Sequence, residues 1–104
     1  MSSAEPTVVH HPDDDRFDLM LDGRRVGWID TRPAGASLIL AHTEVEDGHE
    51  GEGLGGTLVR GALEQIRDQG RTVIPTCPFA AAWIQRHPEW AEVVTPSMRR
   101  RLGV

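Results

Sequence analysis

The run His49-Glu50-Gly51-Glu52-Gly53-Leu54-Gly55-Gly56-Thr57 restricts the possible folds more than any other part of the chain, because it stands between a strand-like and a helix-like segment. Glycines let a backbone turn sharply and bring its N–H groups close to another molecule. A helix that starts directly after such a turn aims its free amides and the positive end of its dipole at the same spot. The pattern suits an anion such as a pyrophosphate, bound by the backbone with no help from lysine. None is present, since all 11 basic side chains are arginine. A glycine-rich turn by itself is weak evidence of binding, so the flanking segments must carry the rest.

Upstream, Ser37-Leu38-Ile39-Leu40-Ala41-His42-Thr43-Glu44-Val45 reads as a buried strand. A period of two puts Leu38, Leu40, His42 and Glu44 on one face, with the two ionisable groups at its carboxyl end. Downstream, Leu54, Leu58, Val59, Ala62, Leu63 and Ile66 form a helical stripe between Gly53 and Gln69, and Gly70 supplies the stop. Thr72-Val73-Ile74 is a short strand. Strand, glycine loop, helix and strand make a right-handed crossover unit with parallel strands. Its topology gathers His42, Glu44, the loop 51–57 and Cys77 at one sheet edge, where open sheets bind ligands. Pro75 and Pro78 remove backbone donors on either side of Thr76-Cys77, so the ladder should break past Ile74 and the sheet should open there.

The remaining chain supports a mixed α+β fold in a single domain over 1–104. Pro12-Asp13-Asp14-Asp15 and Asp22-Gly23 read as hairpin turns, and Phe17, Leu19 and Leu21 and then Val26, Trp28 and Asp30 as alternating strands. Pro33-Ala34-Gly35 makes the next turn. A short helix with Phe79, Ala82 and Trp83 on one side follows Pro78, Val93-Val94 reads as a last edge strand, and Arg99-Arg100-Arg101 reads as a solvated tail. Trp28, Trp83 and Trp90 are packing residues, and Arg60, Arg71 and Arg86 are solvated unless one meets a phosphate. A formal charge of -5 and a pI near 5.4 argue against nucleic-acid binding. The apolar runs are too short to span a bilayer, and the single Cys77 fits a reducing compartment, so a cytoplasmic protein is expected, a monomer or weak dimer. His10-His11 beside Asp13 to Asp15 lacks metal-site spacing, and no metal is expected.

His42-Thr43-Glu44-Val45, Glu50-Gly51-Glu52-Gly53-Leu54-Gly55 and Val73-Ile74-Pro75-Thr76-Cys77-Pro78-Phe79 with His87-Pro88-Glu89-Trp90 together resemble the minimal, single-domain GNAT-superfamily N-acetyltransferases. The resemblance spans roughly residues 8–95 and departs from the superfamily signature at Glu50, where Gln or Arg is usual. It implies a central mixed sheet splayed between two parallel strands, with acetyl-CoA in the gap and an unknown amine as acceptor. Gly51, Glu52, Gly53, Leu54, Gly55, Gly56 and Thr57 would cradle the pyrophosphate, and a backbone N–H near Val45 would meet the thioester carbonyl. His42 serves as proton acceptor, Glu44 as its orienting partner or as a ligand for a cationic substrate, and Cys77 as a thiol beside the coenzyme, with covalent participation left open. A coenzyme-binding module without catalysis is the alternative, and the acidic balance favours a cationic acceptor.

Overall fold

Tight turns set the first half of the molecule. In the computed structural model, which describes residues 5–46 and 53–104, strands β1 (Thr7–His11), β2 (Arg16–Leu21), β3 (Arg24–Ala34) and β4 (Ser37–Val45) form an antiparallel meander. A 3-10 turn at Pro12–Asp14 joins β1 to β2. Asp22 and Gly23, with φ of 54° and 74°, make the left-handed pair that a two-residue hairpin requires. The following turn falls on Gly35 and Ala36, because Ala34 is still paired with Ser37.

Helix α1 (Leu54–Asp68) then crosses over, and β5 (Thr72–Pro75) joins β4 in parallel, giving the strand order β1-β2-β3-β4-β5. The stripe expected from the sequence is the buried one: Leu58, Val59, Ala62, Leu63 and Ile66 are fully inaccessible. They pack on Phe17, Leu19, Ile29, Leu38 and Leu40 of the sheet. Helix α2 (Pro78–Arg86) adds Ala80, Trp83 and Ile84 to the same core. Its inward side differs from the expected one, since Phe79 is exposed and Ala82 only half-buried. Val93-Val94 does not extend into a strand. Pro88–Val93 is a 3-10 segment, and Val94 makes a single parallel bridge to Val73. The arginine run is not a tail either: it lies in helix α3 (Pro96–Leu102), which Met98 and Leu102 tie to the core. No helix among the described residues is long and apolar enough to cross a membrane.

Among the described residues, the other face of the sheet carries no comparable layer. Cross-strand register lines up Val9, Asp18, Trp28 and Glu44 in one row and His11, Arg16, Asp30 and His42 in the next. Neighbouring arginines, rather than a helix, cover Asp18. Its carboxylate accepts from Arg16 Nε at 2.6 Å, with Arg25 Nη1 at 3.7 Å and His11 Nε2 at 3.3 Å. The hydrogen bond to Asp18 holds the Arg16 guanidinium pKa above its ordinary value.

Candidate functional site: the opening between β4 and β5

The register of β3 and β4 slips by one residue between Asp30 and Thr31. Asp30 faces His42 while Thr31 faces Leu40, which leaves Ala41 as an extra residue, a β-bulge, on β4. A bulge resets the alternation of side chains. Leu38 and Leu40 point to α1, and beyond the bulge Thr43, opposite buried Ile29, returns to that side. His42 and Glu44 therefore project from the open face. The expectation that Leu38, Leu40, His42 and Glu44 share one face is corrected accordingly: the period of two holds to Leu40 and is then shifted by Ala41.

Pairing between β4 and β5 also ends at this point, with Leu40 opposite Pro75 as the last pair. The Leu40 carbonyl accepts from the Thr76 amide at 3.1 Å, the Cys77 amide at 2.9 Å and the Thr76 hydroxyl at 3.2 Å. These bonds pin the end of β5 and turn the chain away into α2. Residues 41–45 continue beyond it, paired only to β3. The sheet opens where the two prolines predict.

Each side of the opening has its own chemistry. On the helix side the buried Cys77 thiol donates to Thr43 Oγ1 at 3.2 Å. On the open side His42 Nε2 lies 2.7 Å from Glu44 Oε1, with side chains 57% and 48% exposed. An imidazole whose Nε2–H is given to a carboxylate keeps Nδ1 free as a proton acceptor. Strand β4 thus separates the pair from Cys77, which the sequence reading placed beside it. Thr43, the thiol's partner, was missed: a bulge has no side-chain signature, so a strict period of two turned Thr43 the wrong way. Val45, half-buried opposite Gly27, ends the strand.

The N-terminus of α1 stands next to the opening. Gly53 takes the left-handed conformation, with φ of 74°, and among the described residues no side chain caps the helix. The first intrahelical bond runs from the Thr57 amide to the Gly53 carbonyl at 3.1 Å, so the amides of Leu54, Gly55 and Gly56 precede the helical ladder. Gly55 and Gly56 have a second reason to be glycine. A Cβ on Gly55 would lie 2.6 Å from Phe79 Cζ, and one on Gly56 3.0 Å from Trp83 Nε1. Close packing of α1 on α2 therefore accounts for two of the glycines that the sequence reading gave to anion binding alone. Gly51, Glu52 and the departure at Glu50 lie outside the described residues.

With this geometry in place, the chain belongs to the GCN5-related N-acetyl-transferase family, whose pattern matches residues 16–93. Acyl transfer is the activity class that goes with membership. Among solved structures, the NMR structure of a GCN5-like protein from Staphylococcus aureus, provisionally assigned as an N-acetyltransferase, is similar at a TM-score of 0.67 and 22% identity over 91% of each chain. At that identity the likeness establishes the mixed α+β fold. A search of curated proteins finds no match to the sequence.

Proposed function

We propose that this protein transfers the acetyl group of acetyl-CoA to an amine. The observation that carries the proposal is the end of β4–β5 pairing at Leu40 and Pro75 beside an uncapped helix start, in a chain of this family. The residues present fit the coenzyme. The amides of Leu54, Gly55 and Gly56, with Gly51, Glu52 and Gly53 before them, would hold its pyrophosphate, while the Thr57 amide expected to join them is already given to the Gly53 carbonyl, and the unpaired side of residues 41–45 would border its arm. Bound there, acetyl-CoA supplies an activated thioester.

The chain's own groups do the rest. A backbone N–H at Val45 steadies negative charge on the carbonyl oxygen. Glu44 holds His42 by Nε2, leaving Nδ1 to take one proton from the attacking ammonium and pass it to solvent. The amine nitrogen forms the new C–N bond as the C–S bond breaks, and its second departing proton leaves with sulfur as the free thiol. Cys77 lies on the helix side of the path, where its thiol, held by Thr43, would border the bound coenzyme.

Calorimetry with acetyl-CoA, followed by a thiol-release assay over a panel of amines, tests the reading. Binding and release are the expected results. Binding without release from any amine would leave a coenzyme-binding module, and no binding would end both ideas. Intact mass after incubation with acetyl-CoA isolates the role of Cys77, because the sequence has no lysine to take up acetyl groups nonspecifically. An adduct that disappears in Cys77→Ala would indicate a covalent route.

A further inference from the structure

The backbone at the end of β4 follows a fixed alternation. The Glu46 amide donates to the Val26 carbonyl at 2.8 Å, which makes those two residues a hydrogen-bonded pair. Their neighbours Gly27 and Val45 are then a non-hydrogen-bonded pair, and Trp28 and Glu44 again a bonded one. The Glu44 carbonyl accordingly points at β3. The Val45 N–H belongs to the same planar peptide unit and points the opposite way, to the side of β4 that β5 leaves after Leu40 and Pro75. One rigid unit thus connects the β3–β4 contact with the opening.

Gly27 stands against that unit. A Cβ on Gly27 would lie 2.9 Å from the Glu44 carbonyl oxygen, with Val45 Cα and Cγ2 both at 3.5 Å. Its φ is not positive, so the position calls for glycine through lack of space and not through backbone freedom. It also follows directly on a second bulge. Leu19 faces Gly27 while Met20 faces Arg25, which leaves Val26 as an extra residue on β3. The missing side chain lets β3 run close against the last peptide units of β4.

We infer that Gly27 is a positioning residue for acyl transfer: by leaving the Glu44 carbonyl in place it aims the Val45 N–H at the thioester carbonyl oxygen. The inference rests on the transfer reading above and adds a residue that acts from behind the reacting groups. A methyl on Gly27 falls about half an ångström short of ordinary contact distance from the Glu44 oxygen. The atom in its way is backbone held in the ladder, so relief comes from tilting the whole peptide plane. The N–H at the other end of that plane tilts with it. A donor to developing negative charge works only over a narrow range, roughly 2.7–3.1 Å, and small misplacements near the reacting atoms cost rate rather than coenzyme affinity.

Gly27→Ala tests this, with Gly61→Ala as its control. The control introduces a comparable clash, 2.4 Å from Val8 Cγ2, between α1 and the far edge strand β1. In the thiol-release assay Gly27→Ala should lower kcat about tenfold with the acetyl-CoA Kd unchanged. Its Val45 amide resonance should also move. Gly61→Ala should lose stability and keep its kcat. An unchanged kcat in folded Gly27→Ala, or an equal fall in Gly61→Ala, would overturn the inference and leave acetyl transfer standing. If Gly27→Ala fails to fold, the unaltered protein decides: its Val45 amide resonance should move further with acetyl-CoA than with coenzyme A, which lacks the carbonyl, and equal shifts would overturn the inference. Thiol release from no amine by the unaltered protein would overturn transfer and the role of Gly27 together.

Discussion

The two faces of the sheet are built from the same strands and stabilised by different physics. The helix-covered face is continuous apolar packing, with Phe17, Leu19, Ile29 and Leu40 fully buried. The open face is a grid of charges and one indole, in which Asp18 is buried by arginines rather than by carbon. Fixed dry packing suits a scaffold, and half-hydrated charges suit contact with something that arrives. Ala41 joins the two regimes, because one extra residue lets β4 give Leu40 to the core and His42 and Glu44 to the solvent side. A single strand can serve both faces of a binding gap when its register slips by one.

Inserting one residue between Asp30 and Thr31, opposite Ala41, attacks this contrast most directly. With Ala41 paired the bulge would close, strict alternation would carry His42 and Glu44 toward the core, and an uncompensated buried charge costs roughly 3–5 kcal/mol. Urea unfolding should show a loss of that size together with loss of transfer, whereas a change under about 1 kcal/mol would mean that the bulge does not separate the faces. Next comes Leu40→Ala on the covered face, expected to cost about 3 kcal/mol in the same measurement. Glycine contacts sharpen the picture on the helix side. A Cβ on Gly61 would stand 2.4 Å from Val8 Cγ2 and 2.8 Å from its Cβ, against a stiff branched side chain on β1. Gly61→Ala should therefore lower stability by about 1–3 kcal/mol. Gly55→Ala should cost less, because the exposed Phe79 ring can swing aside and alanine favours the helix by about 1 kcal/mol. On the exposed rim, removing the Arg24–Glu46 ion pair should change stability by less than about 0.5 kcal/mol.

The smallest effect is a pH dependence from the edge of the covered face. His10 stacks on Phe17 with centroids 4.1 Å apart. Burial first, then Arg71 and His11, lowers its pKa below the ordinary 6.5. The unfolded chain therefore binds more protons than the folded one between that lowered value and about pH 6.5, so stability rises with pH across the window and falls away as pH drops through it. His10→Gln should flatten this part of a stability–pH curve, and an unchanged slope would mean that His10 contributes nothing to it.

Where the fold was legible in the sequence, a local rule and the tertiary context agreed. The stripe Leu58, Val59, Ala62, Leu63 and Ile66 becomes the buried side of α1, Asp22-Gly23 becomes a hairpin, and the prolines around Thr76-Cys77 end the ladder. Two features were illegible for a physical reason. The bulge at Ala41 costs the sequence nothing visible, since alanine fits either face of a strand. The helical state of Arg99, Arg100 and Arg101 depends on Met98 and Leu102 reaching the core, which a count of charges conceals. The geometry of the candidate site was half legible: His42, Glu44 and Cys77 reach the opening as expected, and their distribution over its two sides was fixed by a register that only the paired strands reveal.

The contact between Val94 and β5 has a consequence for solubility. A four-residue terminal strand leaves its outer hydrogen-bonding groups available to any other extended chain, the usual route to edge-to-edge aggregation. Here the Thr95 amide donates to the Val73 carbonyl at 3.2 Å and Val94 lies alongside Val73, so the segment after α2 works as a guard rail on that margin. Cutting the chain before Val93 would strip the rail and turn the margin of the sheet into a template for its own kind.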